Sequence, residues 1–247
     1  MKIEIKDAKK FIYSIVSMAS VINEARLKIT KDGIGIVAMC PSNVAMAVFE
    51  HKASDTWEID SNIQIGLNLT LLKTILKRLD FQEAFEFSLM DSEGMKYLKV
   101  TQLRKSFKLP ILSDLEDKEM KIPQLTQDCE LKCQAKSLVD AILDCDVVTE
   151  SVALDMGIEF SVSGVGDLAE AENKPECELV NYHKEKDKKC RSKYSLEYLK
   201  NFLNVFADNK ELWQSNIIIK FKKDYPLELV MLDGELRWIL APRVEND

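Results

Sequence analysis

Two segments of this chain, 127 positions apart, carry the same residue types in the same order. In NLTLLKTILKRL, Leu69, Leu72 and Leu76 surround Lys73, and in SLEYLKNFLNVF, Leu196, Leu199 and Leu203 surround Lys200. Upstream, Gly33-Ile34 after Asp32 is echoed by Gly157-Ile158 after Met156, at an offset of 124. Echoes at nearly equal offsets read as duplication of one structural unit, which limits the fold more than local propensity does. The 247 residues then divide into two units of ordinary size rather than one large domain.

Hydrophobic periodicity gives each half the same plan. In the first, an alternating strand over 1–6 leads to a helix over 8–22, where Phe11, Ile12, Ile15, Val16 and Ala19 share a face. LKITKDGIGIVAM and VAMAVFE read as strands joined by turns, and 57–65 as another strand. A helix over 68–79 follows, capped by Asn68 or Thr70, then strands near 83–90, 95–101 and 104–110. In the second half, a strand at 129–134 and a helix over 136–147 precede strands at 151–156, 158–163 and 176–182. A helix over 195–207 comes next, then strands at 215–222, 226–232 and 235–240. The expected class is α+β, with two similar domains (1–111 and 128–247) of antiparallel sheets and two short helices each. Between them, 112–127 is polar, acidic and interrupted by Pro123, an extended connector. HKEKDKKCR (183–191) reads as a solvated loop.

Charge narrows the partners. With 41 acids against 34 bases, the net charge of −7 disfavours a protein that coats DNA over its whole surface. The bases are not evenly spread. No acid interrupts 68–79, where Lys73 and Lys77 lie at i and i+4 with Arg78 beside them, and Lys9 and Lys10 open the first helix. In the second half, Lys136 is accompanied by Asp140, Asp144 and Asp146, and Lys200 by Glu197. The charged, alternating start and the lack of a long apolar run predict an intracellular protein with no membrane segment. Six scattered cysteines with no CxxC pair, and only His51 and His183, predict reduced thiols and no metal or other cofactor. Asp91, Glu93 and Lys96 form an acid-lysine trio, but they fall at a hairpin turn. Gly33-x-Gly35 and Gly164-x-Gly166 lack the strand-to-helix setting of a phosphate loop, so no catalytic residue is assigned.

Four segments together resemble a known family. DGIGIVAMCPSNVAM (32–46), IGLNLTLLKTILK (65–77), DLEDKEMKIPQL (114–125) and DYPLELVMLDGELRWILAPRV (224–244) are similar to PCNA-type DNA sliding clamps of archaea and eukaryotes. That resemblance implies a closed trimeric ring, of identical or paralogous subunits, whose helices line a channel around double-stranded DNA. The lining would include Lys9, Lys10, Lys73, Lys77, Arg78, Lys136 and Lys200. It also implies a groove for peptide motifs of the clamp loader, DNA polymerase, flap nuclease and DNA ligase. Met39, Asn43, Val44 and Met46 would form one wall, Met120, Ile122 and Pro123 the connector side, and Pro226, Ala241, Pro242, Arg243 and Val244 the C-terminal side. A flexible Met-rich apolar groove suits varied anchors. Ring closure would pair the edges Tyr97–Lys108 and Glu176–Tyr182. A processivity clamp of this kind would be found with chromosomal DNA, in a nucleoid or nucleus. Cys40-Pro41 stands where the family has an acid after the methionine. The alternative is an interaction scaffold of the same fold that does not encircle DNA.

Overall fold

A computed structural model describes residues 1–55, 57–59, 61–113, 115, 120–182 and 190–243. In chain order its elements are β1 (Lys2–Ile5), α1 (Ala8–Met18), β2 (Glu24–Thr30), β3 (Gly33–Met39), β4 (Ala45–Lys52), β5 (Ile63–Asn68) and α2 (Leu69–Leu76). There follow β6 (Phe85–Ser92), β7 (Met95–Gln102), β8 (Lys105–Pro110), β9 (Cys129–Gln134), α3 (Ala135–Asp146), β10 (Ser151–Met156) and β11 (Phe160–Val165). The last are β12 (Glu170–Asn173), β13 (Cys177–Tyr182), β14 (Cys190–Ser195), α4 (Leu196–Asp208), β15 (Asn216–Phe221), β16 (Leu227–Met231) and β17 (Leu236–Leu240). The chain divides into two compact units, one of Met1–Pro41 with Ala47–Ile122, the other of Ser42–Met46 with Pro123–Asp247.

Duplication is written in the strand order. The antiparallel order β1-β6-β7-β8 of the first unit recurs as β9-β15-β16-β17 in the second, and β5-β2-β3-β4 recurs as β14-β10-β11-β12. Among the described residues only β13, laid against β9, has no strand counterpart.

In the first unit α1 buries Phe11, Ile12 and Ile15, and the Phe11 ring meets Phe49, Phe85 and Phe87 edge-on at 5.2–5.6 Å. The α2 helix buries Leu69, Leu72, Ile75 and Leu76, and Leu79 just beyond it is buried too. Of the two capping candidates Asn68 does the work: its side chain accepts the Leu71 N–H at 2.8 Å. Asn68→Ala leaves that donor unmet and is expected to cost about 1 kcal/mol, read as a lower midpoint in urea unfolding. In the second unit Phe202 of α4 stacks on the fully buried Trp238 of β17 at 4.0 Å.

The structure corrects several expectations. The first helix ends at Met18 rather than reaching 22. Of 57–65 only Ile63 onward is strand, because the Trp57 indole donates to the Glu4 carbonyl at 2.7 Å and Glu58 makes a lone bridge with Lys2. Glu170–Asn173 and Cys190–Ser195 are strands where none was expected. In β14 the inward positions are Cys190, Ser192 and Tyr194, too polar on average to stand out from a loop. Residues 183–189 of the expected loop lie outside the described residues. Tyr97–Gln102 belongs to β7, an inner strand between β6 and β8, so of the expected Tyr97–Lys108 edge only the β8 part lies at a sheet edge. Cys133 and Cys177 form a disulfide rather than staying reduced, since the register sets them opposite each other with Cα atoms 4.1 Å apart. Their separation of 44 residues carried no spacing signal.

Candidate functional site

The residues singled out by sequence are spread over both units. On the first unit's helices, Lys73 is half-buried and Lys77 and Arg78 are exposed at the C-terminal end of α2. None of the three forms an ion pair among the described residues. Cations there are favoured by the partial negative charge of the helix end, which offsets their mutual repulsion. At the start of α1, the Lys10 Nζ lies 3.4 Å from Asp7, whose carboxylate also accepts the Lys10 N–H at 3.2 Å. Lys9 is half-buried on the same turn.

On the second unit's helices the matching lysines are compensated. Lys136 meets Asp140 at 2.5 Å and lies 4.7 Å from the centre of the Trp213 ring. Lys200 reaches from α4 to Asp146 at the end of α3, at 2.6 Å. Both pairs are partly exposed and worth little in stability, but they cancel the charge a phosphate would meet. Lys200 also lines a depression of about 470 Å³ with Asp146, Glu150, Glu197 and Arg243, so acids outnumber bases there.

The residues expected to form a peptide groove divide by burial. In the second unit the segment 42–46 is tied to the C-terminal segment. The Ala241 N–H donates to the Val44 carbonyl at 2.8 Å, and the Ser42 and Tyr198 hydroxyls lie 2.5 Å apart. Asn43 takes a positive φ of 58°, which turns the chain between the exposed Ser42 and Val44. Val44 is exposed, whereas Met46 is buried in the core. Pro226 is held from both sides. The Gln127 amide donates to the Pro226 carbonyl and the Tyr194 hydroxyl to that of Tyr225, each at 2.8 Å. Burial holds the Tyr194 phenol well above its ordinary pKa, so it remains a donor. The Arg243 N–H donates to the Lys193 carbonyl at 2.8 Å, fixing Ala241 and Pro242, both half-buried. Pro123 is exposed, and Val244 lies outside the described residues.

In the first unit, Met39 ends β3 half-buried. Met120 is exposed and Ile122 half-buried. The start of the connector is pinned to the sheet there. The Leu112 N–H donates to the Gly66 carbonyl at 2.9 Å, and the Arg26 guanidinium donates to the Leu115 carbonyl. A side chain at Gly66 would place its Cβ 2.7 Å from the Leu112 carbonyl oxygen, so only glycine admits this approach. Ser42, Tyr198 and Gln127 were missed by sequence reading. Ser42 and Gln127 lie within or beside the quoted segments, but Tyr198 carries no local signal.

The described residues include no helix long and apolar enough to cross a membrane and no cluster of groups that could hold a metal ion. No family model matches the chain. It is 28% identical to the DNA polymerase sliding clamp of Pyrococcus furiosus over 99% of both chains. Against the DNA polymerase sliding clamp of Thermococcus gammatolerans it is 27% identical, over 97% of this chain and 96% of the relative. Its fold superposes on PCNA from Thermococcus kodakaraensis with a TM-score of 0.83 at 23% identity, over 98% of this chain and 99% of that one. A structure of A. fulgidus PCNA with the C-terminal region of FEN-1 bound matches equally well, with TM-score 0.83 at 23% identity over 100% and 99%. Likeness in sequence and in fold thus runs from end to end through both repeated units, and the chain is similar throughout to the PCNA-type DNA sliding clamps.

Proposed function

We propose that this chain is a subunit of a trimeric ring that encircles duplex DNA and tethers replication and repair enzymes to it. The observation that carries this reading is the basic end of α2, where Lys73, Lys77 and Arg78 have no ion-pair partner among the described residues. A ring retains DNA by topology, so a few sequence-independent phosphate contacts suffice, and an acidic exterior keeps DNA off other surfaces. In the proposed division, domains 1–111 and 128–247 contribute one helix pair each, and 112–127 connects them. The clamp would work without catalysis or cofactor, beside chromosomal DNA.

Subunit contact has a candidate in charge and strand geometry. The edge strand β8 carries exposed Lys105 and Lys108 after Arg104, while 170–178 carries exposed Glu170, Glu172, Glu176 and Glu178 along β12 and β13. Open edges of opposite charge favour head-to-tail pairing of copies of one chain. Peptide motifs of a clamp loader, polymerase, flap nuclease and ligase would dock at Met39, Asn43, Val44, Met120, Ile122, Pro123, Pro226, Ala241, Pro242, Arg243 and Val244. Met46 would support them from the core.

The compensated Lys136 and Lys200 favour a second reading, a scaffold of the same fold that does not encircle DNA. Polymerase extension on primed circular DNA separates the two. The clamp is expected to raise processivity on the circle and to lose that effect when the template is linearised. Equal stimulation on both templates would support the scaffold.

A further inference from the structure

In the first unit, the turn between β2 and β3 and the segment after β4 border a cavity of about 440 Å³. Lys31 and Asp32 line it from the turn, and Ser54, Asp55, Trp57 and Ile59 from the segment. Local contacts hold both walls. The Ala53 N–H donates to the Asp32 carbonyl at 3.0 Å, and the Asp32 N–H to the Thr30 hydroxyl at 3.2 Å. A Cβ at Gly33 would stand 2.2 Å from the His51 carbonyl oxygen, so the turn lies directly on the end of β4. Trp57 donates its Nε1–H to the Glu4 carbonyl at 2.7 Å, and its ring lies nearly parallel to that of buried His51, with centroids 6.4 Å apart. An indole restrained in this way loses little freedom when a ligand packs on it.

Charge points to the kind of ligand. Asp32 and Asp55 are exposed, and neither forms an ion pair among the described residues. The second unit shows the corresponding place already filled. Where Asp32 stands just before β3, the second unit has Glu159 just before β11, and where Ala53 follows β4, Lys174 follows β12. There the Lys174 ammonium meets the Glu159 carboxylate at 2.8 Å. Alanine in place of that lysine leaves Asp32 without the cation its counterpart has. Lys31, exposed on the same turn, offsets part of the charge, but one lysine against two aspartates still leaves the lining at −1.

We propose that this cavity receives a lysine or arginine side chain of a partner protein, with its cationic head at Asp32 and Asp55 and its stem against Trp57 and Ile59. The carboxylates supply charge-assisted hydrogen bonds, the indole attracts a cation, and the apolar wall covers the methylenes. One side chain alone binds weakly, so the site acts as a single anchor within a larger contact. It uses none of the residues proposed to meet DNA or to dock peptide motifs, and it stands whether or not the chain closes a ring.

The test titrates acetyl-Gly-Arg-Gly-amide into the full chain and follows backbone amide NMR signals. Binding in the millimolar range is expected, with the shifts centred on Lys31, Asp32, Asp55 and Trp57. The citrulline analogue keeps the shape without the charge and is expected to bind about fivefold more weakly or worse. Asp32→Asn and Asp55→Asn change exposed side chains and should each weaken the arginine peptide about threefold or more. Ala53→Lys supplies the ammonium from within, as Lys174 does in the second unit, and is expected to abolish the shifts at an unchanged unfolding midpoint. No shift at these residues, equal binding of the two peptides, or full arginine binding by Ala53→Lys overturns the cationic site. Spermidine binding more tightly than the peptide overturns a protein side chain as the occupant.

Discussion

Lys73→Glu with Lys77→Glu is expected to release DNA while leaving peptide docking intact. Both changes fall at the end of α2, on side chains that support no ion pair among the described residues, so the fold loses little. On the clamp reading each lysine meets a phosphate. Losing one such contact lowers the slope of log affinity against log salt by about 0.9. Two per subunit, reversed in sign, are expected to cut retention on circular DNA at least about tenfold near physiological salt. The comparison variant is Lys136→Ala with Lys200→Ala. Asp140 and Asp146 already neutralise those two lysines, so retention is expected to change about twofold or less. Gel-shift titration of circular DNA at several salt concentrations reads both. Equal losses for the two double variants would show that the second unit's helices contribute as much as the first's.

That contrast marks where sequence was a good guide. The α2 helix was legible because its leucine spacing, its Asn68 cap and its run without acids all point the same way. Pairing of Lys136 with Asp140 was equally legible, as an i,i+4 neighbour on one helix. Lys200 with Asp146 was not, since the partners are 54 residues apart and meet only when α4 packs on α3. The duplication was visible in two short echoes, yet its full extent emerged only from strand order, where side-chain identity has drifted and topology has not. β12 and β14 were the least legible part of the fold. Their inward positions include serine and cysteine and their outward ones glutamate and lysine, so alternation was hidden beneath low hydropathy. The disulfide followed the same rule: only the register of β13 on β9 sets Cys133 opposite Cys177.

Burial decides which of the proposed docking residues offer a fair test of peptide binding, and Val44 and Met120 stand out. Met46 is packed in the core, so a charge there would unfold the unit and say nothing about binding. Val44 and Met120 are respectively 37% and 40% exposed, large apolar groups left in water, and the Val44 carbonyl accepts the Ala241 N–H. Val44→Asp and Met120→Asp should each cost under about 0.5 kcal/mol of stability. A docked apolar anchor, by contrast, would have to desolvate the new carboxylate. If the proposed docking of a flap-nuclease peptide is correct, each change is expected to weaken its binding by about 2–3 kcal/mol, roughly 30- to 150-fold. Retention on circular DNA should be unaffected. A double variant that loses less than the sum of the two would show that one peptide side chain contacts both positions, because the first charge already expels the anchor. Calorimetric titration of the four proteins gives that coupling directly. Full affinity in both single variants would remove these positions from the docking surface.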